Sequence, residues 1–153
     1  MPLSGPPLDK PVDPCRLLDR GILAGERDPA LISAEGSWSW RDLDSASDRL
    51  AGNLLGRGLR PGDRVASLMP NRDVLVVHYL ACFKAGLVAV PLNYRYTSRE
   101  IDHALDVVKA SILLAHVERD ADIVASKLAR GLSLGVITYG SNGARGTCLE
   151  ELM

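Results

Sequence analysis

Aromatic residues are scarce in this sequence, which has one phenylalanine, two tryptophans and four tyrosines among 153 residues. Proteins that bind single-stranded nucleic acid stack the bases on aromatic side chains within a basic groove. A net charge of -1 provides no basic excess either. We therefore expect neither nucleic acid nor an anionic membrane surface as a partner.

Cysteines are also few. Cys15, Cys82 and Cys148 are odd in number and far apart, and no CxxC pair is present. This pattern predicts free thiols in a reducing compartment, and hence a cytoplasmic protein. We expect Cys82 to lie in the core and the other two to be exposed.

No hydrophobic run is long enough to cross a bilayer, which takes roughly 20 predominantly apolar residues. The longest apolar stretch, residues 74–92, is interrupted by His78, Lys84 and Pro91, and we interpret it as a buried helix followed by a buried strand. Residues 1–14 are proline-rich and lack the apolar centre of a signal peptide, which predicts a flexible leader before a single domain at 15–153.

Regular patterns of apolar residues predict a hairpin followed by alternating helices and strands. Residues 30–33 and 37–40 are the hairpin strands, with Trp38 and Trp40 on one face covering the edge of the core. A capping box of Ser39 and Asp42 begins the next helix. Its apolar face consists of Leu43, Ala46, Leu50 and Leu54.

The rest of the chain predicts continuous apolar strands that alternate with helices. The strands are expected at 64–69, 87–90, 111–115 and 134–139. The first helix is expected at 72–85 with Asn71 as its cap, and the second begins after a capping box of Thr97 and Glu100. The third is expected at 118–130, with Ile123, Leu128 and Ala129 facing inward. This order predicts an α/β fold: a doubly wound, mostly parallel sheet with helices on both faces, preceded by a short β-hairpin.

Several motifs occur in an order that resembles the adenylate-forming superfamily, which includes acyl-CoA synthetases, adenylation domains of peptide synthetases and luciferases. They are GLRPGDRV at 58–65, PN at 70–71, KAG at 84–86 and PLNYRY at 91–96 followed by Glu100-Ile101. The resemblance runs from residue 30 to residue 138, and Lys109 stands where an acidic or small residue is usual. The NYRY sequence at 93–96 is more typical of acyl-CoA ligases than of peptide-synthetase domains.

This resemblance implies that residues 15–153 correspond to the first N-terminal subdomain of an acyl-CoA synthetase. The family activates a carboxylic or fatty acid with ATP to an acyl-adenylate and then transfers the acyl group to coenzyme A. Its phosphate loop, its Mg ligands and its C-terminal lysine lie downstream of the motifs matched here. We therefore expect no catalytic residue, metal or cofactor in this chain alone, although the complete enzyme uses ATP, Mg and CoA. The expected partners are the missing C-terminal subdomains or a partner chain, with a homo-oligomer as a further possibility.

A glycine-rich segment follows the last predicted strand and offers candidates for anion binding. These are Gly140, Ser141, Gly143 and Arg145. Glycine-rich loops after a strand cradle phosphates, but no helix of useful length follows this one. The alternative is a connector leading into the LEEL segment at 149–152. Two other functions therefore stay open: a stand-alone interaction or dimerisation module, and a small nucleotide-binding domain that uses this loop.

The histidines have structural interpretations. His78 is expected in the core or at its rim with a hydrogen-bond partner, and His103 on a solvated helix face beside Asp102 and Asp106, where the ligands for a metal are too few. His116 follows a strand and is expected at the rim of the sheet.

Overall fold

The computed structural model describes residues 13–34, 36–140 and 149–153. These residues form a short antiparallel hairpin and a four-stranded parallel sheet flanked by helices. The strands are β1 (Pro29–Ser33), β2 (Gly36–Ser39), β3 (Arg64–Leu68), β4 (Val88–Pro91), β5 (Ile112–His116) and β6 (Val136–Tyr139). The helices are α1 (Asp19–Gly25), α2 (Trp40–Gly56), α3 (Asp73–Ala85), α4 (Ser98–Val108), α5 (Asp120–Ala125) and α6 (Lys127–Arg130), with 3-10 turns at Pro14–Arg16, Val117–Arg119 and Leu149–Leu152.

The parallel sheet has the strand order β4-β3-β5-β6. Its interior strand β5 is buried along its whole length, as expected for a strand covered on both faces. In contrast, β4 is half exposed and lies at an edge of the described sheet. Pro91 belongs to β4, and an edge strand tolerates a residue that has no backbone N–H to donate.

Alternate side chains of the strands point into two separate cores. Val65, Ile112 and Leu114 pack under α2 and α3 on one face. Their neighbours Ala66 and Leu113 pack against α4, α5 and α6 on the other face. Helices therefore cover both faces, and the predicted doubly wound α/β class is confirmed.

The two predicted capping boxes are present. The Asp42 backbone N–H donates to Ser39 Oγ at 3.1 Å, and Thr97 and Glu100 form the same motif at the start of α4. The predicted cap at Asn71 is wrong, because α3 begins at Asp73 and its N-cap is Arg72, which makes no side-chain cap bond. The Arg72 N–H donates to the carbonyl of Pro70 at 2.8 Å, and this turn delays the helix.

The helix predicted at 118–130 is broken into a 3-10 turn, α5 and α6. The break lies at Ser126, which has extended backbone (ψ 127°) and caps α6 by accepting the Ala129 N–H at 3.0 Å. Asp102 of α4 accepts the Ser126 hydroxyl at 2.5 Å and the Leu128 N–H at 2.9 Å. These bonds turn Leu128 outward, so it is 39% exposed rather than inward as predicted.

The hairpin is attached to the sheet layer through its tryptophans. Trp38 Nε1 donates to Asp73 Oδ2 at 2.8 Å, which joins β2 to the first residue of α3. Trp40 is the first residue of α2 and not part of β2, so the two tryptophans do not share one strand. Its ring lies so close to Gly21 that a Cβ there would be 2.1 Å from Trp40 Cδ2, and only glycine fits at that point of α1.

Lys84 joins α2 to α3. Its ammonium group donates to the carboxylates of Asp44 and Asp48, at 2.7 Å in each case, and the Lys84 side chain is only 13% exposed. The lysine of the KAG motif therefore has a structural role, which is to hold α3 against α2. Among the residues that the structure describes, no helix is long and apolar enough to cross a membrane.

Candidate functional site at the carboxyl rim of the sheet

The strand order places a topological switch point between β3 and β5. From β3 the chain moves to β4 on one side, and from β4 it crosses to β5 on the other side of β3. In open α/β sheets, ligands bind in the crevice outside the carboxyl ends of the strands at such a point. The segments that follow β3, β4 and β5 therefore form the candidate site.

Polar side chains join these segments across the end of β3. The Tyr94 hydroxyl donates to the carboxylate of Glu118, and Arg72 Nη2 lies 4.0 Å from the same carboxylate. Arg119 Nη2 donates to the carbonyl of Tyr96 at 2.6 Å, and its guanidinium lies 5.4 Å from the centroid of the Tyr94 ring. The loop after β4 is thus held to the turn after β5.

Hydrogen bonding in this network sets the ionisation of its members. The bond from Tyr94 holds the pKa of Glu118 below its ordinary value, with a smaller contribution from the charge of Arg72. The same bond raises the pKa of Tyr94. Glu118 therefore stays ionised at neutral pH and is poorly suited to act as a general acid.

His116 is the last residue of β5 and lies at the rim of the sheet, as predicted. Its side chain is buried. Its Nδ1 accepts the backbone N–H of Glu118 at 3.3 Å, and its ring makes an edge contact with Tyr139, with 5.2 Å between centroids. A Cβ at residue 140 would lie 2.8 Å from His116 Nε2, and Gly140 has a φ of +80°. Glycine is therefore required where β6 ends beside β5.

Gly140 is the one member of the predicted anion loop that the structure describes. Its backbone N–H donates to Glu150 Oε1 at 2.7 Å, so a carboxylate already occupies the donor that a phosphate would need. Ser141, Gly143 and Arg145 lie outside the described residues, and their role in anion binding stays a prediction.

The LEEL segment is docked on the body of the protein. Leu149 and Leu152 are buried in the core beneath α2. Asn53 Nδ2 donates to the carbonyl of Leu152 at 3.1 Å. The segment thus brings the chain back onto the sheet layer.

Two adjoining cavities run along the rim, and we call them together the rim groove. One, of about 380 Å³, lies between α3 and the end of β4. The other, of about 610 Å³, lies between α3 and the hairpin. They share Pro70, Asn71, Leu75 and Tyr79. Ser67 lines the smaller cavity, and its buried hydroxyl has no hydrogen-bond partner among the described residues.

The remaining candidates are structural. His78 is fully buried, its Nδ1 lies 3.7 Å from Cys82 Sγ, and its Nε2 has no partner among the described residues. Burial lowers the pKa of His78 to about 4 and raises that of Cys82 to about 12, so neither is charged at neutral pH. Cys15 is exposed as predicted, and its thiol donates to the carbonyl of Phe83 at 3.2 Å. Cys148 lies outside the described residues.

His103 is exposed on α4, as predicted. Within the described parts of the chain, no group of three or more His, Cys, Asp or Glu side chains is arranged to hold a metal ion.

Sequence reasoning missed the contacts of Tyr94, Glu118 and Arg119. A signal was available, because these polar residues follow the carboxyl ends of β4 and β5, where parallel strands bring their loops together. Tyr94 meets Glu118 because the crossover from β4 places β5 on the opposite side of β3. The sequence does not specify on which side of β3 that crossover ends.

The curated relatives of this chain include a CoA synthase and a CoA ligase. It is 42% identical to a feruloyl-CoA synthase of Amycolatopsis sp over 95 residues, which cover 60% of this chain and 19% of the relative. It is 32% identical to the medium/long-chain-fatty-acid–CoA ligase FadD6 of Mycobacterium tuberculosis over 117 residues, covering 76% of this chain and 19% of the relative. The chain thus spans about a fifth of the length of these relatives.

The solved structure of MatB from Rhodopseudomonas palustris superimposes with a TM-score of 0.74 at 31% identity, and the match covers 92% of this chain and 27% of MatB. The family model of the AMP-binding enzymes matches residues 22–151. This chain belongs to the AMP-binding enzyme family, and it corresponds to the N-terminal region of that family's acyl-CoA ligases.

Proposed function

We propose that this chain serves as the N-terminal portion of an acyl-CoA ligase and does not catalyse adenylation alone. The complete reaction would join a carboxylic or fatty acid to AMP with release of pyrophosphate, and then pass the acyl group to coenzyme A. The observation that supports this most directly is the family match over 22–151 in a chain that covers only 19% of its curated relatives.

The described residues do not fit ATP and Mg by themselves. They contain no cluster of side chains suited to a metal, and the N–H of Gly140 is bonded to the Glu150 carboxylate, which would repel a phosphate. Phosphoryl chemistry requires donors and a cation around the phosphates. We therefore assign no step of the reaction to this chain.

The rim residues have a supporting role in this proposal. Tyr94, Glu118 and Arg119 fix the loops at the switch point through the bonds described above. Fixed loops hold neighbouring catalytic groups at productive geometry without reacting themselves. The chain would thus supply a rigid floor on which the catalytic parts of the enzyme are arranged.

ATP–pyrophosphate exchange tests the proposal. We expect the purified 153-residue chain to show no exchange with ferulate or with a medium- or long-chain fatty acid, because its described residues offer no cluster of side chains for Mg and no free donor at Gly140 for a phosphate. The feruloyl-CoA synthase of Amycolatopsis, assayed with ferulate in parallel, provides the positive control. Exchange that rises in proportion to the concentration of the pure chain would contradict the proposal.

A further inference from the structure

His116 is a buried imidazole enclosed by polar groups of several elements. Its side chain is only 6% exposed. Tyr139 of β6 makes an edge contact with the ring, and Gly140, beside Nε2, donates its N–H to the Glu150 carboxylate of the LEEL segment. On the turn after β5, Glu118 places Oε2 3.6 Å from His116 Nδ1. Glu118 is therefore the carboxylate positioned to respond to a charge on this ring.

Glu118 Oε2 faces two groups that compete for it. It accepts the hydroxyl of Tyr94 in the loop after β4, residues 92–97, and the same oxygen faces His116 Nδ1. The other carboxylate oxygen, Oε1, lies 4.0 Å from Arg72 Nη2. His116 Nδ1 accepts the Glu118 backbone N–H at 3.3 Å, so this nitrogen carries no proton and the ring is neutral. In this state the Glu118 carboxylate is available to hold Tyr94.

Protonation of His116 reverses the role of Nδ1. Histidine side chains change charge between about pH 5 and pH 8, and both ring nitrogens of the charged form are donors. Nδ1 then loses the Glu118 N–H as a partner, and a strong hydrogen bond to the ionised carboxylate becomes possible. The ring is packed in place whereas the Glu118 side chain is 57% exposed, so it is the carboxylate that moves. Movement of Oε2 towards His116 takes it away from Tyr94.

We propose that His116, Glu118 and Tyr94 form a proton-operated latch between the turn after β5 and the loop after β4. With His116 neutral, Glu118 holds the Tyr94 hydroxyl and the latch is closed. When His116 gains a proton, Glu118 turns to the imidazolium and releases Tyr94. The bond from Arg119 to the carbonyl of Tyr96 does not involve Glu118, so the loop stays attached at that point. The latch belongs to this chain alone and does not depend on the proposed function.

NMR spectroscopy of the full 153-residue chain tests the latch. The isotopically labelled protein is titrated from about pH 8 to about pH 5. The signals of the His116 ring and of Tyr94 Cζ are followed, because the latter reports on hydrogen bonding of the hydroxyl. We expect the Tyr94 signal to shift with the same midpoint as the His116 ring. His103→Gln is the control, since it removes an exposed histidine of α4 and should leave the Tyr94 shift unchanged.

Glu118→Ala separates the latch from a direct effect of the imidazolium charge on Tyr94. This variant should fold, because the side chain that it shortens is exposed. Without the carboxylate, the Tyr94 signal at about pH 8 should already match that of the unaltered chain at about pH 5, and it should stay constant while His116 titrates. The proposal is overturned if the His116 ring does not titrate in this range or if Tyr94 does not follow it in the unaltered chain. An equal Tyr94 shift in Glu118→Ala would also overturn it.

Discussion

His78 is an ionisable residue placed where a charge is costly. It is fully buried, and burial lowers its pKa from 6.5 to about 4. The unfolded chain therefore binds a proton between these pH values that the folded chain excludes. Burial of the neutral His78 ring therefore costs no unfolding free energy above about pH 6.5. The unfolding free energy falls as the pH drops from there towards the pKa of the folded state, about 4.

We expect acidification from pH 7 to pH 4 to cost about 3 kcal/mol of unfolding free energy through His78 alone. His78→Leu should remove this part of the pH dependence, because leucine does not titrate. Urea unfolding at both pH values measures it, and His103→Gln on the exposed face of α4 serves as the control. An unchanged pH dependence in His78→Leu would contradict the assignment.

Lys109 is the residue with strained backbone. Among the described residues other than glycine it is the one with a positive φ, at 51° with ψ 47°, and it ends α4. A left-handed conformation costs a residue with a Cβ about 1–2 kcal/mol. Its ion pair with Asp106, at 2.6 Å, joins two exposed side chains and is worth little.

Lys109→Gly is therefore expected to raise the unfolding free energy by about 1 kcal/mol, since glycine adopts this conformation without the steric cost. Lys109→Ala keeps the Cβ and loses only the ion pair, so it should change stability by less than about 0.5 kcal/mol. Chemical denaturation of the three proteins gives the comparison. An equal gain for alanine and glycine would show that backbone strain is not the cause.

At the scale of the element, a partly buried hydrogen bond from Trp38 to Asp73 joins the hairpin to α3. Trp38→Phe keeps an aromatic ring but removes the donor to Asp73, whose carboxylate is buried. We expect a loss of about 2 kcal/mol, which is typical of a hydrogen bond to a charged group. Urea unfolding measures the loss.

Ser37→Ala, on the same strand but exposed, is the control for the hairpin and should change stability by less than about 0.5 kcal/mol. If Trp38→Phe is as mild as this control, the contact between hairpin and helix does not stabilise the fold.

Sequence patterns predicted the elements well where the periodicity was long and failed where one side chain redirected the backbone. The capping boxes at Ser39 and Thr97 and the buried strand β5 follow from local patterns. The break at Ser126 depends on Asp102, which lies on another helix and is close only in the folded chain. No local pattern contains that information.

At the scale of the whole molecule, the fold class was predictable because alternating helices and apolar strands have few other solutions. The strand order β4-β3-β5-β6 was not predictable. Neither the composition of the strands nor their spacing specifies on which side of β3 each later strand is placed. The candidate site depends on that order. Its members Tyr94 and Glu118 meet only because β4 and β5 flank the same strand.

The shape of the outer strand β4 limits how copies of the protein can meet. It is only four residues long, and its last residue, Pro91, has no N–H to offer to another chain. Open strand edges are the usual template for fibrils, and short strands that carry proline suppress this route. At high concentration, contacts between molecules should therefore form through side chains rather than by continuation of the sheet from this edge.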